Sequence, residues 1–528
     1  MKKIVLMSFL LVLGTNLIAQ TSIPNVLNYK SIKSSGAIIS DDKLAGYYMF
    51  YFKEKKDKKN STYEVALFDD DYNKVRDFEV TKPKKTYLIE IVYNNEVFML
   101  YFYNAKTGYE FITYNRDGEV VGNQKITKKD IPTFSLRTNM AGLQSGTESH
   151  TIYPVGTTGF IRTTYSTSKK MGYKLIAYDN ELNELWKSVS PKTSKLIETI
   201  AISDVSEKYT TAVISRKKNM MTKKMDLTFC IFNTKTGELI REVPMGTKAT
   251  GKKSVLKTYV DTENDKIILI GEFFKPGDDM LKDKSKGIFI KELESDGTEL
   301  SNNEYNWKGQ IDKYKNENLT KEEKKEAGQA FSLFFHNVIR SKNGHLFLIA
   351  EQFKKQVSAG GIAMNVAAAA LGGNVNSNAA AFEIRVSNMV VIELDEHNKL
   401  FDYHIIKKKR NSVMLPQGAG LYSSSFLGYY IKSLGGFDYD YTSLDKEKDE
   451  FNIIYRDLNK KEKKGQKKSD LMLGVIEIEQ GKLSSTRVPI NTESKYLRLQ
   501  PAKFGYIGIV EYFKKEKKIE TRLEKLTY

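Results

Sequence analysis

One cysteine, two tryptophans and five histidines are few for 528 residues, and each scarcity removes a class of explanation. A single thiol, Cys230, excludes an internal disulfide, so stability must come from a packed core, which a chain of this length can bury unaided. Cys230 sits in the apolar run LTFCIF, where a thiol is a buried, inert side chain rather than a nucleophile. The histidines, His150, His336, His345, His397 and His404, show no HExxH and no short metal-ligand pair. They read as structural residues, because metal chemistry needs several convergent ligands. In FFHNVIRSKNGHLF, a turn at Ser341 to Gly344 is expected to pair His345 with Arg340. GxSxG, P-loop and zinc patterns are absent as well. The sequence therefore assigns no catalytic residue, no metal and no cofactor.

Long hydrophobic runs are also missing after the first 19 residues. The opening MKKIVLMSFLLVLGTNLIAQ places Lys2 and Lys3 before a charge-free run, the pattern of a secretory signal peptide over residues 1–19. Ile4 to Ala19 falls short of the roughly 20 apolar residues that a membrane span needs. Cleavage is expected after Ala19, and no cysteine follows it to carry a lipid. The mature chain is expected to be exported, to the periplasm or beyond, and not to be a lipoprotein.

What is abundant is Tyr, Phe, Ile and Val in short runs, separated by Gly, Asn, Asp and Lys. This is strand and turn chemistry. GYYMFYF, EVFMLYFY, KIILIGEFF and HLFLIAEQF are almost continuously apolar, as strands covered on both faces must be. The runs recur in a fixed order of four strands, a to d, shown by LIETIAISD, YTTAVIS, MDLTFCIF and ELIREVP. Eight units follow, with b strands beginning near Gly46, Val97, Phe160, Tyr209, Ile267, Leu346, Phe451 and Tyr506. The last unit lacks its d strand, and SIPNVLNYKSI, residues 22–32, has no unit of its own. Pairing the two would close a ring and cover its edges.

The expected fold is thus all-β: a β-propeller of eight four-stranded blades closed by an N-terminal strand, one domain over residues 20–528. The hairpins IAYDNELNELWKS and CIFNTKTGELIREV resemble those of quinoprotein-type and related bacterial propeller repeats, over most of residues 22–528. The resemblance implies a secreted propeller. Those families carry a tryptophan in most blades, whereas this chain has only Trp186 and Trp307, so no quinone cofactor is implied. An outer-membrane barrel is the competing architecture, but its strands would alternate apolar and polar residues, and the b strands do not.

Three connections depart from the repeat. Residues 128–152 and 408–436 read as polar linkers, the second containing GAG and SSS. NLTKEEKKEAGQAF reads as a solvated helical linker near 311–331, with Thr320 as N-cap and Glu323 completing a capping box. Asp438, Asp440 and Thr442, and likewise Asp69, Asp71 and Asn73, have the spacing that opens a calcium loop. Both groups lack its glycine and its closing glutamate.

Net charge is +18, and +16 once the two leader lysines are removed. Topology sorts that charge. In an up-and-down blade the b-to-c tips and the links between blades share one face of the disc. The a-to-b and c-to-d turns share the other. Seven b-to-c tips (53–59, 169–170, 216–224, 275–286, 354–355, 460–468 and 514–518) total +21, and seven c-to-d turns total −10. The strongest tips supply the candidate binding residues: Lys217, Lys218, Lys223 and Lys224, and Lys463, Lys464, Lys467 and Lys468. On the same face falls SAGGIAMNVAAAALGGNVNSNAAAFE, residues 358–383, an Ala/Gly-rich insertion in the sixth tip in which Ile362 to Leu371 could form a short helix. A concentrated basic face steers anionic partners. The expected function is an exported binding or scaffold propeller whose partner is an anionic surface, a glycan or an acidic protein. Peripheral membrane contact fits the same face, whereas nucleic acid is not expected as a partner and a monomer is. The alternative is a hydrolase or lyase acting on exported carbohydrate, which would need carboxylates and a base converging on one pocket.

Overall fold

A strand that is apolar on both faces must be sandwiched, and the computed structural model shows what covers it. It describes residues 20–526 except 27–31, 41–42, 132–149, 167–170, 192–193, 220–224, 248, 263, 323, 325–330, 358–381, 416–421, 460–469, 493 and 495. Strand β1 (Gln20–Ile23) precedes the first blade, which is β2 (Ile32–Ser40), β3 (Lys43–Glu54), β4 (Asn60–Phe68) and β5 (Lys74–Pro83). Blade 2 is β6 (Thr86–Tyr93), β7 (Val97–Asn104), β8 (Gly108–Asn115) and β9 (Val120–Thr127). Blade 3 is β10 (Ile152–Val155), β11 (Gly159–Ser166), β12 (Gly172–Asp179) and β13 (Glu184–Val189). Blade 4 is β14 (Ile197–Val205), β15 (Tyr209–Lys217), β16 (Asp226–Asn233) and β17 (Leu239–Pro244). Blade 5 has the short β18 (Gly246–Thr247) before β19 (Gly251–Asp261), β20 (Lys266–Phe273), β21 (Gly287–Glu294) and β22 (Glu299–Asn306). Helix α1 (Asp312–Asn318) leads into blade 6: β23 (Ser332–Arg340), β24 (Leu346–Val357), β25 (Phe382–Leu394) and β26 (Leu400–Ile406), with an extra β27 (Asn411–Met414). Helix α2 (Ser424–Ser433) leads into blade 7: β28 (Tyr439–Asp445), β29 (Glu450–Asn459), β30 (Asp470–Glu479) and β31 (Lys482–Ile490). Blade 8 is β32 (Tyr496–Pro501), β33 (Tyr506–Phe513) and β34 (Lys518–Lys525), completed by β1.

The pairing is antiparallel throughout, and the ring closes where β1 meets β34, from Gln20 opposite Arg522 to Ile23 opposite Ile519. The closing strand is therefore shorter and earlier than 22–32, because Ile32 already belongs to the first strand of blade 1. Every second strand begins within three residues of its expected position.

Eight hydrophobic clusters sit between consecutive blades, and β7 shows how one strand feeds two of them. Its even residues Phe98, Leu100 and Phe102 pack toward blade 1, and its odd residues Met99, Tyr101 and Tyr103 pack toward blade 3. All eight of its residues are buried. The fourth strands, such as β13 and β22, alternate between exposed and half-buried residues at the rim. Cys230 lies in the core between blades 3 and 4, where burial pushes its thiol up to about 12.

In the blade 5–6 link, α1 begins at Asp312 after a π-type turn over Trp307–Ile311 with Ile311 buried, and Lys321, Glu322 and Lys324 are helical again beyond it, Lys324 N donating to Thr320 O at 2.9 Å. Two local expectations need correction. The 408–436 segment is not simply a polar linker. Leu427 and Ile431, four residues apart on α2, are buried against Phe334, Phe353 and Phe437. The loop after β23 closes on Ser341 and His345, with Gly344 at φ +87, and so places Arg340 opposite Leu346 rather than His345. The expected signal peptide and most of the Ala/Gly segment lie outside the described residues. None of the described helices is long and apolar enough to cross a membrane.

The β24–β25 hairpin runs out to the pair Val357 and Phe382, and β27 pairs with Glu383 to Val386 of β25. Deleting Gly360 to Ala380 and rejoining the flanks with a short Gly/Ser turn leaves every described pair in place. The expected stability change is within about 0.5 kcal/mol by urea titration. A loss above about 2 kcal/mol would show that the segment is packed into the propeller.

Buried carboxylates clasp successive blades by accepting backbone N–H groups. Glu90 accepts from Thr151 N at 3.0 Å and Ile152 N at 3.3 Å, tying blade 2 to blade 3. Glu351 accepts from Asp438 N and Tyr439 N, both at 3.0 Å, and so ties blade 6 to blade 7. It also lies 3.0 Å from Lys408 Nζ and 3.0 Å from His336 Nε2, with all three side chains buried. Burial alone would push the Glu351 carboxyl up; Lys408, His336 and the Tyr439 amide reverse this and hold it at about 2. Glu90, with backbone donors and a hydroxyl but no paired lysine, is pushed up by burial to about 7. Their contributions to stability have opposite signs. That of Glu351 is present above the ordinary carboxylate range and is lost as pH falls toward about 2. That of Glu90 is full below about 4.5 and is lost as pH rises through about 7. Glu351→Gln is expected to cost on the order of 1.5–3 kcal/mol at neutral pH, because buried Lys408 loses one of its two carboxylate partners and keeps only Asp438. Glu90→Gln should flatten the loss of stability between pH 5 and 8. Urea midpoints measured from pH 3 to 8 on both variants check the pair of signs.

Candidate functional site

The first strands of the blades touch one another around the ring, so they line its central channel. Between blades 4, 5 and 6 that channel widens into a cavity of ≈ 1280 Å³. Its wall is β14, β19 and β23, and α2 folds over it from the blade 6–7 link. Helix α2 is held there by reaching back to blade 5. Ser423 N donates to Leu281 O at 2.7 Å, Ser423 Oγ to Met280 O at 2.9 Å, and Tyr429 OH to Val255 O at 3.2 Å. Lys355 Nζ, on the β24 extension, donates to Tyr422 O at 3.3 Å.

Each wall strand carries a bulge that aims one side chain into the cavity. The pairing shifts past Ser203 in β14, Leu256 in β19 and His336 in β23, and all three residues line the cavity. Bulges re-aim side chains in this way. The His336 ring stacks on Tyr439 at 4.7 Å, and its Nδ1 lies 3.4 Å from Lys432 Nζ. A lysine donating to Nδ1 leaves the hydrogen on Nε2, facing Glu351, and burial lowers the imidazole pKa, which favours this neutral form. Enclosure also lowers the pKa of Lys432, which lies over the Tyr439 ring at 5.3 Å.

Four lysines line the cavity: Lys217, Lys257, Lys282 and Lys432. Around them are the hydroxyls of Thr199, Ser203, Ser215, Ser254 and Thr258, three tyrosines (Tyr165, Tyr422 and Tyr429) and aliphatic side chains. Among the described residues no carboxylate lines it. The mouth is framed by Lys217 at the end of β15, the β20–β21 tip with Lys282, and α2. All three belong to the face that holds the b-to-c tips.

Of the residues expected to bind, Lys217 borders this cavity and Lys218 is exposed beside it. Lys223, Lys224, Lys463, Lys464, Lys467 and Lys468 lie outside the described residues. The tips at 55–59 and 514–517 are exposed, and among the described residues Lys55, Lys56, Lys514 and Lys515 form no ion pair. Lys354 and Lys355 are not tip residues, because they pair with Arg385 and Ile384 inside the lengthened hairpin. Sequence reading missed Lys257, Lys432 and His336, which belong to no charge run and meet only through bulges and α2. The calcium spacings are used otherwise. Asp438 pairs with Lys408, Asp440 with Arg456 at 3.1 Å, and Asp71 with Lys503 across the ring closure.

Comparison with known proteins gives fold-level likenesses. No curated protein matches the sequence. Among solved structures, the chain is similar to a prolyl endopeptidase at 11% identity and TM-score 0.37, over 92% of this chain and 55% of that one. The chain thus spans about half the length of that enzyme. It is similar to the β-propeller domain of the Trilobed protease from Pyrococcus furiosus at 9% identity and TM-score 0.36, over 87% and 96%. It is also similar to the GH93 α-L-arabinofuranosidase of Fusarium graminearum at 10% identity and TM-score 0.29, over 70% and 89%. The family pattern that matches residues 1–527 covers nearly the whole chain, and the chain belongs to that family, described as a family of unknown function (DUF6770).

Proposed function

We propose that this protein is an exported binding propeller that takes an anionic glycan at the mouth of its central channel. The observation that carries the reading is the cavity with four lysines and, among the described residues, no lining carboxylate. Such a wall attracts acid groups, while Tyr165, Tyr422 and Tyr429 offer ring faces to sugar rings. The exposed lysine tips on the same face would raise the encounter rate without fixing the ligand's identity. An anionic membrane or an acidic protein would meet the tips rather than the cavity. The hydrolase or lyase reading has less support, since an acid and a base must converge on one substrate. Here His336 Nδ1 faces Lys432, and the carboxylate of Glu351 lies behind the ring.

The test uses heparin as probe, by column retention and by calorimetric titration. Wild-type binding should weaken steeply between about 50 and 300 mM salt as screening shortens the reach of the lysines. The double variant Lys257→Gln, Lys432→Gln should bind at least about tenfold more weakly, with its thermal midpoint retained. Charge reversal at the tip residues Lys218, Lys463 and Lys464, none of which is among the cavity lysines, should slow association. Unchanged affinity in the cavity variant, with loss only in the tip variant, would replace the cavity by an open basic surface.

A further inference from the structure

We infer that blade 6 carries a divalent transition-metal site, built by Glu393, Asp402 and His404 on the face opposite the cavity, with zinc as the ion its geometry fits. Glu393 of β25 and Asp402 of β26 are direct cross-strand partners, and like charges placed opposite each other destabilise a sheet. His404, two residues beyond Asp402, projects from the same side of the strand. The donor atoms of the three side chains all lie within 4.8 Å of one another.

Each carboxylate has one oxygen held and one directed at the imidazole. Glu393 Oε1 lies 2.7 Å from His345 Nδ1. Asp402 Oδ1 accepts from Tyr403 N at 2.6 Å and from Tyr314 OH of α1 at 3.3 Å. The other two oxygens, Glu393 Oε2 and Asp402 Oδ2, stand 3.6 Å and 3.4 Å from His404 Nε2. That nitrogen is buried, and it has no hydrogen-bond partner among the described residues. Two donors bound to one tetrahedral zinc at about 2.0–2.1 Å are separated by about 3.4 Å. Neither contact is a hydrogen bond, and both spacings match the edges of a coordination tetrahedron. A water or an external ligand would take the fourth position, reached from the partly exposed side of His404 and Asp402.

Charge balance supports the assignment. Three other buried carboxylates each face a fixed cation: Glu64 has Lys53, Glu198 has Arg216 and Glu511 has Arg522. Among the described residues Glu393 and Asp402 form ion pairs only with imidazoles, and none with a lysine or an arginine. His345 acts as a positioning residue, holding Glu393 so that Oε2 points to the ion.

The experiment is to strip the full chain with a chelator and titrate it with Zn²⁺ by calorimetry, with metal content measured after gel filtration. One equivalent per chain and a raised thermal midpoint are expected, and Co²⁺ in its place should give the intense visible bands of tetrahedral coordination. His404→Gln and Asp402→Asn should each weaken uptake at least tenfold. Asp402→Asn should leave the metal-free midpoint unchanged or higher, since it removes the carboxylate opposition, an outcome that a merely structural Asp402 would not give. His345→Gln should weaken binding by about 10–100-fold. Uptake well below one equivalent in the wild type, or full uptake in His404→Gln, would overturn the proposal.

Discussion

Every blade of this molecule depends on its neighbours for burial. A single four-stranded sheet with apolar residues on both faces has no core of its own, and the eight clusters that constitute the core each draw on two adjacent blades. Such an arrangement leaves no exposed apolar face only when the last blade also meets the first. The pairing of β1 with β34 completes the eighth sheet, and Ile23 and Val26 are buried in the cluster that joins blades 8 and 1. The requirement explains why the second strands read as unbroken apolar runs and why a chain with one cysteine needs no covalent staple.

The irregular parts gather on blade 6. Its hairpin is lengthened and carries a third strand, its link to blade 7 contains α2, and a ninth apolar cluster forms beneath that helix. The direct contact between first strands is thinnest at this junction, and the Glu351 clasp bridges it. One insertion thereby does two things. It closes α2 over the channel, and it brings Lys432 beside His336, so that a basic cavity forms where a regular propeller would have an open bore.

The repeat was legible because a period-four order of apolar strands survives variation in any one of them, and the c-to-d turns are marked by Asp, Asn and Gly at fixed places. The face-sorted charge was legible for the same reason, since topology alone assigns tips to faces. Boundaries were less so. The closing strand was placed a few residues late because SIPNVLNYKSI gives no signal for where one strand ends and the next begins. Helix α2 was hidden by SSS and GAG, although Leu427 and Ile431 hold the spacing of a buried helical stripe. The cavity lysines and the Glu393, Asp402 and His404 group could not be read at all. Their members come from different strands, and a bulge or a cross-strand register decides which side chains meet.

Ring closure can be tested by covalent trapping. Thr21 of β1 and Thr521 of β34 are direct antiparallel partners, a placement whose Cα separation suits a disulfide. In the double variant Thr21→Cys, Thr521→Cys, oxidation should yield one disulfide with Cys230 still reduced, and should stabilise the chain by about 2–4 kcal/mol against urea relative to its reduced form. Two free, alkylatable thiols at positions 21 and 521 under the same oxidation would contradict a closed eight-bladed ring.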